Sequence, residues 1–88
     1  MKGAYPIVLR KTKDGYYVEI PDFDSATEEK DLVDAIEMAR DAIGILGISY
    51  EDQKMTIPKP NSTTYSTNKN DIVTLVDVDF TDYRKKNG

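Results

Sequence analysis

Tyr5-Pro6-Ile7-Val8-Leu9-Arg10-Lys11-Thr12-Lys13-Asp14-Gly15-Tyr16-Tyr17-Val18-Glu19-Ile20 decides the fold. Side chains alternate across a strand with a period of two, so Tyr5, Ile7 and Leu9 share one face. Tyr16, Val18 and Ile20 share a face of a second strand, while Tyr17 and Glu19 point the other way. Asp14-Gly15 lies between the two runs, where glycine accepts the positive φ that a tight hairpin turn demands. Pro6 has no amide hydrogen, which predicts a place near the strand start or on an edge. Pro21-Asp22 closes the second run.

Outward from the hairpin, Ala26-Thr27-Glu28-Glu29 reads as a short, polar third strand. Asp31 then stands where a helix N-cap belongs, with Asp34 in the first turn. Leu32, Ala35, Ile36, Ala39, Ala42, Ile43 and Leu46 recur at three and four, predicting an amphipathic helix of about 15–18 residues and about 25 Å. Gly44 and Gly47 each cost about 1 kcal/mol against alanine inside a helix. They predict either a weak last turn or a close approach by another backbone. Residues 51–71, with Pro58 and Pro60, read as a mobile connection in which Ile57 is pinned to the core. Ile72-Val73-Thr74-Leu75-Val76-Asp77-Val78-Asp79-Phe80 is the strongest strand signal. Its first half is apolar on both faces, as expected inside a sheet. The tail Tyr83-Arg84-Lys85-Lys86-Asn87-Gly88 reads as basic and frayed.

The order β-β-β-α-β predicts an α+β fold: a small, mostly antiparallel sheet with one helix packed on one face. The other face is left for solvent or a second chain. Eighty-eight residues allow one domain with a thin stability margin. Histidine, cysteine and tryptophan are absent. That excludes disulfides, cysteine and histidine zinc sites, and histidine- or cysteine-based catalysis. No apolar run approaches the length of a membrane span, and the N-terminus lacks the apolar core of a signal peptide. The expectation is a soluble cytoplasmic protein without a membrane partner.

The net charge of −4 hides an asymmetry. Residues 1–13 carry four bases and no acid. Residues 14–52 carry twelve acids against Lys30 and Arg40, a net −10. Such a block repels a phosphate backbone and attracts a basic partner. Asp22, Asp24, Glu28 and Glu29 do not make a calcium loop, because Ala26 stands where an oxygen ligand is needed and the turn glycine is missing. Glu19, Asp77 and Asp79 have the residue types of a two-metal nuclease, a rival reading that requires them to converge. A third reading makes Tyr16–Val18 an RNA-stacking strand, against the acidity around it. No cofactor, metal ligand or catalytic residue is expected.

Several pieces together resemble the N-terminal domain of HicB-type antitoxins. They are Tyr5-Pro6-Ile7-Val8, Asp14-Gly15-Tyr16-Tyr17-Val18-Glu19-Ile20-Pro21-Asp22-Phe23, Asp31-Leu32-Val33-Asp34-Ala35-Ile36, Met38–Gly44, Ile57-Pro58-Lys59-Pro60, and Val73–Phe80 followed by Tyr83-Arg84. The ordered set covers nearly the whole chain. Where many members carry Pro-Gly-Cys, this chain has Asp24-Ser25-Ala26. The resemblance implies a degraded, partial RNase H-like fold without nuclease activity. It also implies a HicA-type toxin as partner: a small basic ribonuclease whose RNA surface the antitoxin covers. Residues 1–83 would form the antitoxin domain and 84–88 a basic tail. Complete members continue with a DNA-binding segment, so DNA contact and transcription regulation are expected only through a segment absent from this chain. A homo-oligomer, a homodimer or larger, is expected as well. The expected partner contacts are Tyr17, Glu19, Asp22, Phe23, Asp24 and Glu28.

Overall fold

Lys2–Lys11 forms strand β1, ten residues long, and Tyr16–Ile20 forms β2. The structure, a computed structural model, describes residues 1–60 and 68–87. The two strands pair antiparallel, with Leu9 opposite Val18 and Lys11 opposite Tyr16. The Thr12 amide donates to the Gly15 carbonyl at 2.8 Å and closes the hairpin. Gly15 has φ 156°, and a Cβ there would lie 2.3 Å from the Glu29 carbonyl oxygen. Both facts require glycine.

A 3-10 turn, Pro21–Phe23, follows β2 and ends at Asp24. Asp24 adopts the left-handed conformation (φ 48°, ψ 47°), and its amide donates to the Pro21 carbonyl at 3.1 Å. Short polar side chains tolerate that region better than most. The chain then enters β3, Ser25–Glu29, the predicted polar third strand. Helix α1, Leu32–Asp52, has 21 residues. Asp31 caps it, accepting from the Asp34 amide at 2.9 Å. β4, Ile72–Asp79, pairs antiparallel with β1, and α2, Phe80–Asn87, completes the fold.

The sheet order is β3-β2-β1-β4, antiparallel throughout, with α1 across one face. That face carries Tyr5, Ile7, Leu9, Val18, Ile20, Val76 and Val78. All are buried against Ala35, Ala39 and Ile43 of α1 and against Phe23, Ile57 and Phe80. The α+β reading and its order of strands and helix are realised, with α2 added. Ile57 is pinned as expected, and the Tyr5 hydroxyl donates to the Pro58 carbonyl at 2.7 Å. The predicted mobile connection falls partly on residues 61–67, outside the described residues.

Four expectations change. Pro6 lies inside the central strand β1, opposite Leu75. Alternate residues of an antiparallel strand bond to opposite neighbours. Pro6 shares the parity of Val8 and Arg10, which face β2, but β2 has ended at Ile20. No ladder bond is lost. β4 is an outer strand and not an interior one: Ile72, Val73 and Leu75 are 44%, 40% and 61% exposed.

Helix α1 also runs past its glycines. A Cβ at Gly44 would lie 2.7 Å from the Tyr83 ring, and one at Gly47 would lie 2.2 Å from the Phe80 ring. The glycines make room for aromatic rings, and packing overrides their low helix propensity. The tail read as frayed is α2. Arg84 reaches Glu51 and Asp52 of α1 at 3.1 and 3.0 Å, so the boundary placed after Tyr83 falls inside a helix.

Candidate protein-interaction surface

β3 and β4, the outer strands of the sheet among the described residues, differ in chemistry. β3 carries Glu28 on the outer face of the sheet and Glu29 on the helix face, as the period of two demands. On the outer side, a shallow depression of ≈ 200 Å³ is lined by Tyr17, Glu19 and Asp24 together with Pro21 and Ala26. Glu28 adjoins it, directly opposite Tyr17. On the inner side, a groove of ≈ 490 Å³ between β3 and α1 is lined by Glu29, Asp34, Glu37, Met38 and Asp41. The carboxyl of Asp34 is pushed above its ordinary range, first by a hydrogen bond with the Asp31 side chain and by that carboxylate's charge, then by burial, and then by Glu29 and Glu37. That is what crowded like charges do.

Four of the six expected contacts therefore gather beside β3: Tyr17, Glu19, Asp24 and Glu28. Asp22 sits in the 3-10 turn, near enough to Tyr5 to help burial raise the phenol's pKa. Phe23 is 5% exposed and lies in the core, with ring centroids 5.1 Å from Tyr5 and 5.9 Å from Tyr50. Its side chain holds the turn in place and is not available as a surface contact. The acids of the β3–α1 groove were not singled out from the sequence. Asp34, Glu37 and Asp41, three and four apart, lie on one helix face and were legible by that spacing. Glu29 is brought to them only by the fold.

The arginines pair elsewhere. Arg10 bonds Glu19 and, at 3.1 Å, Asp71, tying β1 to β2 and to the entrance of β4. The Glu19 carboxylate raises the Arg10 pKa still further. Arg40 reaches the Asp77 carboxylate at 3.2 Å and its carbonyl at 3.0 Å. Arg84 holds Glu51 and Asp52, and Lys86 holds Asp82 at 3.0 Å. None of the ion pairs among the described residues involves Asp24, Glu28, Glu29, Asp34 or Glu37. All three arginines neutralise acids outside this set; Lys30 lines a pocket with Glu28, Glu29 and Asp34, and the β3 side keeps a net negative charge.

The carboxylates of the nuclease reading do not converge. Glu19 is opposite Val8, which is opposite Val73. Asp77 is four residues further along, about 13 Å at the rise of a strand and two strand spacings away. Asp79 accepts from the Asp82 amide at 3.1 Å, which holds its carboxyl below the usual range and starts α2. Among the described residues no group of three acids is placed to hold a metal ion. The stacking strand fares similarly. Val18 is buried and Tyr16 packs against the core under the Lys11 ammonium, 4.8 Å from its ring centre, leaving Tyr17 alone on the outer face. Among the described residues no helix is long and apolar enough to cross a membrane.

No protein-family model matches the chain. An uncharacterized 14.9 kDa protein of the rep-hol intergenic region of Haemophilus phage HP1 (strain HP1c1) is 38% identical over 84 residues. The match takes in 88% of this chain and 62% of the phage protein, so the chain spans less than two thirds of that relative. Among solved structures, a chain of a toxin-antitoxin complex from Streptococcus pneumoniae superposes with a TM-score of 0.76 at 20% identity. That superposition covers 94% of this chain and 73% of the other. The chain therefore shares its fold with a component of a toxin-antitoxin complex.

Proposed function

We propose that this chain is a HicB-type antitoxin domain that neutralises a small, basic, RNA-cleaving toxin of the HicA type by covering its RNA-binding surface. The observation that carries the reading is the acidic β3 side. Asp24 and Glu28 on the outer face, and Glu29, Asp34 and Glu37 in the inner groove, form an anionic rim that all three arginines leave uncompensated. A surface built to meet phosphate on RNA is cationic, and an anionic protein rim competes for it. The shared fold with a component of a toxin-antitoxin complex supports the same reading. The chain itself cuts nothing in this account, since Glu19, Asp77 and Asp79 stand apart. Operon autoregulation would belong to a DNA-binding segment outside these residues.

The test is co-expression with the small basic open reading frame beside the source gene. Expected outcomes are rescue of growth and a complex that co-purifies. The triple variant Asp24→Lys/Glu28→Lys/Glu37→Lys should weaken that complex at least about tenfold and flatten its dependence on salt. No complex and no rescue overturns the proposal.

A further inference from the structure

The apolar edge of β4 plays no part in that acidic rim. The Phe80 amide donates to the Met1 carbonyl at 2.8 Å, and the register from Lys2 opposite Asp79 to Leu9 opposite Ile72 has no bulge. Alternation then gives β1 the backbone bonds of Ile72, Thr74, Val76 and Val78. The amides and carbonyls of Val73 and Leu75 point out of the sheet, beside exposed apolar side chains. Natural edges are usually guarded by charge, proline or a bulge. Ile72–Val76 has none of these. The guard comes just afterwards, where Arg40 takes the Asp77 carbonyl. Beyond that, α2 begins at Phe80.

We infer that β4 pairs with β4 of a second copy of this chain, antiparallel about a two-fold axis through Thr74. A two-fold interface must be self-complementary. Ile72-Val73-Thr74-Leu75-Val76 is nearly symmetric about its centre: Ile72 meets Val76, Val73 meets Leu75, and Thr74 meets itself. Val73 and Leu75 exchange about four backbone hydrogen bonds across the axis. Sliding by two residues in either direction sets Asp77 or Asp71 against an apolar side chain. In the symmetric register those two acids face each other, and each brings its own cation, Arg40 to Asp77 and Arg10 to Asp71. A basic toxin has no use for this stretch, which carries no charge; a second copy matches it residue for residue. The joined sheet has eight strands with a β3 rim at each end. Five residues a side bury less than the ~1,000 Å² of a firm interface, so the dimer is concentration-dependent, with a Kd of about micromolar order.

The chain contains no cysteine, which makes a cross-linking test clean. Thr74 and its symmetry mate form a non-hydrogen-bonded pair, with Cα atoms about 4.5 Å apart, within disulfide reach. Under mild oxidation Thr74→Cys should form a covalent dimer and Leu75→Cys should not. Sedimentation of the unmodified chain should show dimer growing with concentration. Leu75→Lys should raise the dimer Kd at least about a hundredfold, with an unchanged circular dichroism spectrum and melting curve as the check on folding. Three results overturn the inference: a monomer at about 0.5 mM, a dimer indifferent to Leu75→Lys, or cross-linking at Leu75→Cys and not at Thr74→Cys. Loss of co-purifying basic partner from Leu75→Lys, with the free chain monomeric, would give the edge to that partner instead. The three overturning results do not depend on the antitoxin reading, because they are measured on the chain alone.

Discussion

The two outer strands face the same geometric problem and solve it differently. β3 is five residues long, polar, and flanked by carboxylates on both faces. β4 is eight residues long and uncharged over its first five, and the last stretch alone is guarded. An acidic edge repels its own copies and attracts cations, while an uncharged one accepts a matching strand. Attachment to the core differs as well. No residue of β3 is fully buried, whereas Val76 and Val78 are, and Phe80 directly after β4 wedges between Tyr5 and Gly47. The β3 side is held by its ladder to β2 and its contact with α1, and the β4 side by its ladder to β1 and its contact with α1 together with a clasp of aromatic rings.

The largest expected effect tests that clasp. Phe80 is 1% exposed, so Phe80→Ala leaves a cavity and should cost about 3–5 kcal/mol. Thr27 is the central residue of β3 and lies half-buried on the helix face, opposite Val18, and Thr27→Ala should cost about 1 kcal/mol or less. Urea unfolding of both variants measures the difference. Equal losses would break the distinction between a clasped edge and a laddered one.

A smaller effect sharpens the clasp itself. Gly47→Ala gains helix propensity but drives a Cβ to 2.2 Å from the Phe80 ring, so it should destabilise by about 1–3 kcal/mol. In the Gly47→Ala background, Phe80→Leu should cost less than it does alone, because the smaller side chain relieves the overlap. Additive losses would show that Gly47 and Phe80 do not share one space.

The same pairing explains what was legible in the sequence. The alternation of residues 5–20, the Asp14-Gly15 turn and the Asp31 cap are local signals, and each became the element it predicts. The acids near β3 were visible as a charge block, and four of the six expected contacts do cluster there. What failed was non-local. An apolar strand reads as interior unless its neighbours are known, so β4 was placed inside the sheet. Gly44 and Gly47 read as a weak last turn or a close approach by another backbone, because the rings of Phe80 and Tyr83 that fill the space come from 30 and more residues away. The basic tail read as loose because its helix owes its place to Glu51 and Asp52 on another element. Phe23 read as surface for want of Tyr50, which α1 brings over its ring.

The smallest expected effect is electrostatic and distinguishes the two sides by pH. On the β4 side, burial first and the Asp41 carboxylate second push the Tyr83 phenol from 10.0 up to about 12, with the hydroxyl donating to Asp41. On the side of the 3-10 turn, burial first and Asp22 second raise Tyr5 as well. A phenol whose folded pKa lies above its unfolded value stabilises the fold in its protonated form. That contribution is complete below pH 10 and is lost as pH climbs from about 10 to 12. Unfolding free energy should therefore fall across that window, and Tyr83→Phe should remove part of the fall while leaving stability near neutral pH little changed. Ultraviolet titration of phenolate should show ionisation delayed beyond the ordinary tyrosine range, with the step near 12 absent in Tyr83→Phe and present in Tyr5→Phe. A Tyr83→Phe chain that titrates like the parent would detach α2 from Asp41 and remove this part of the clasp on the β4 side.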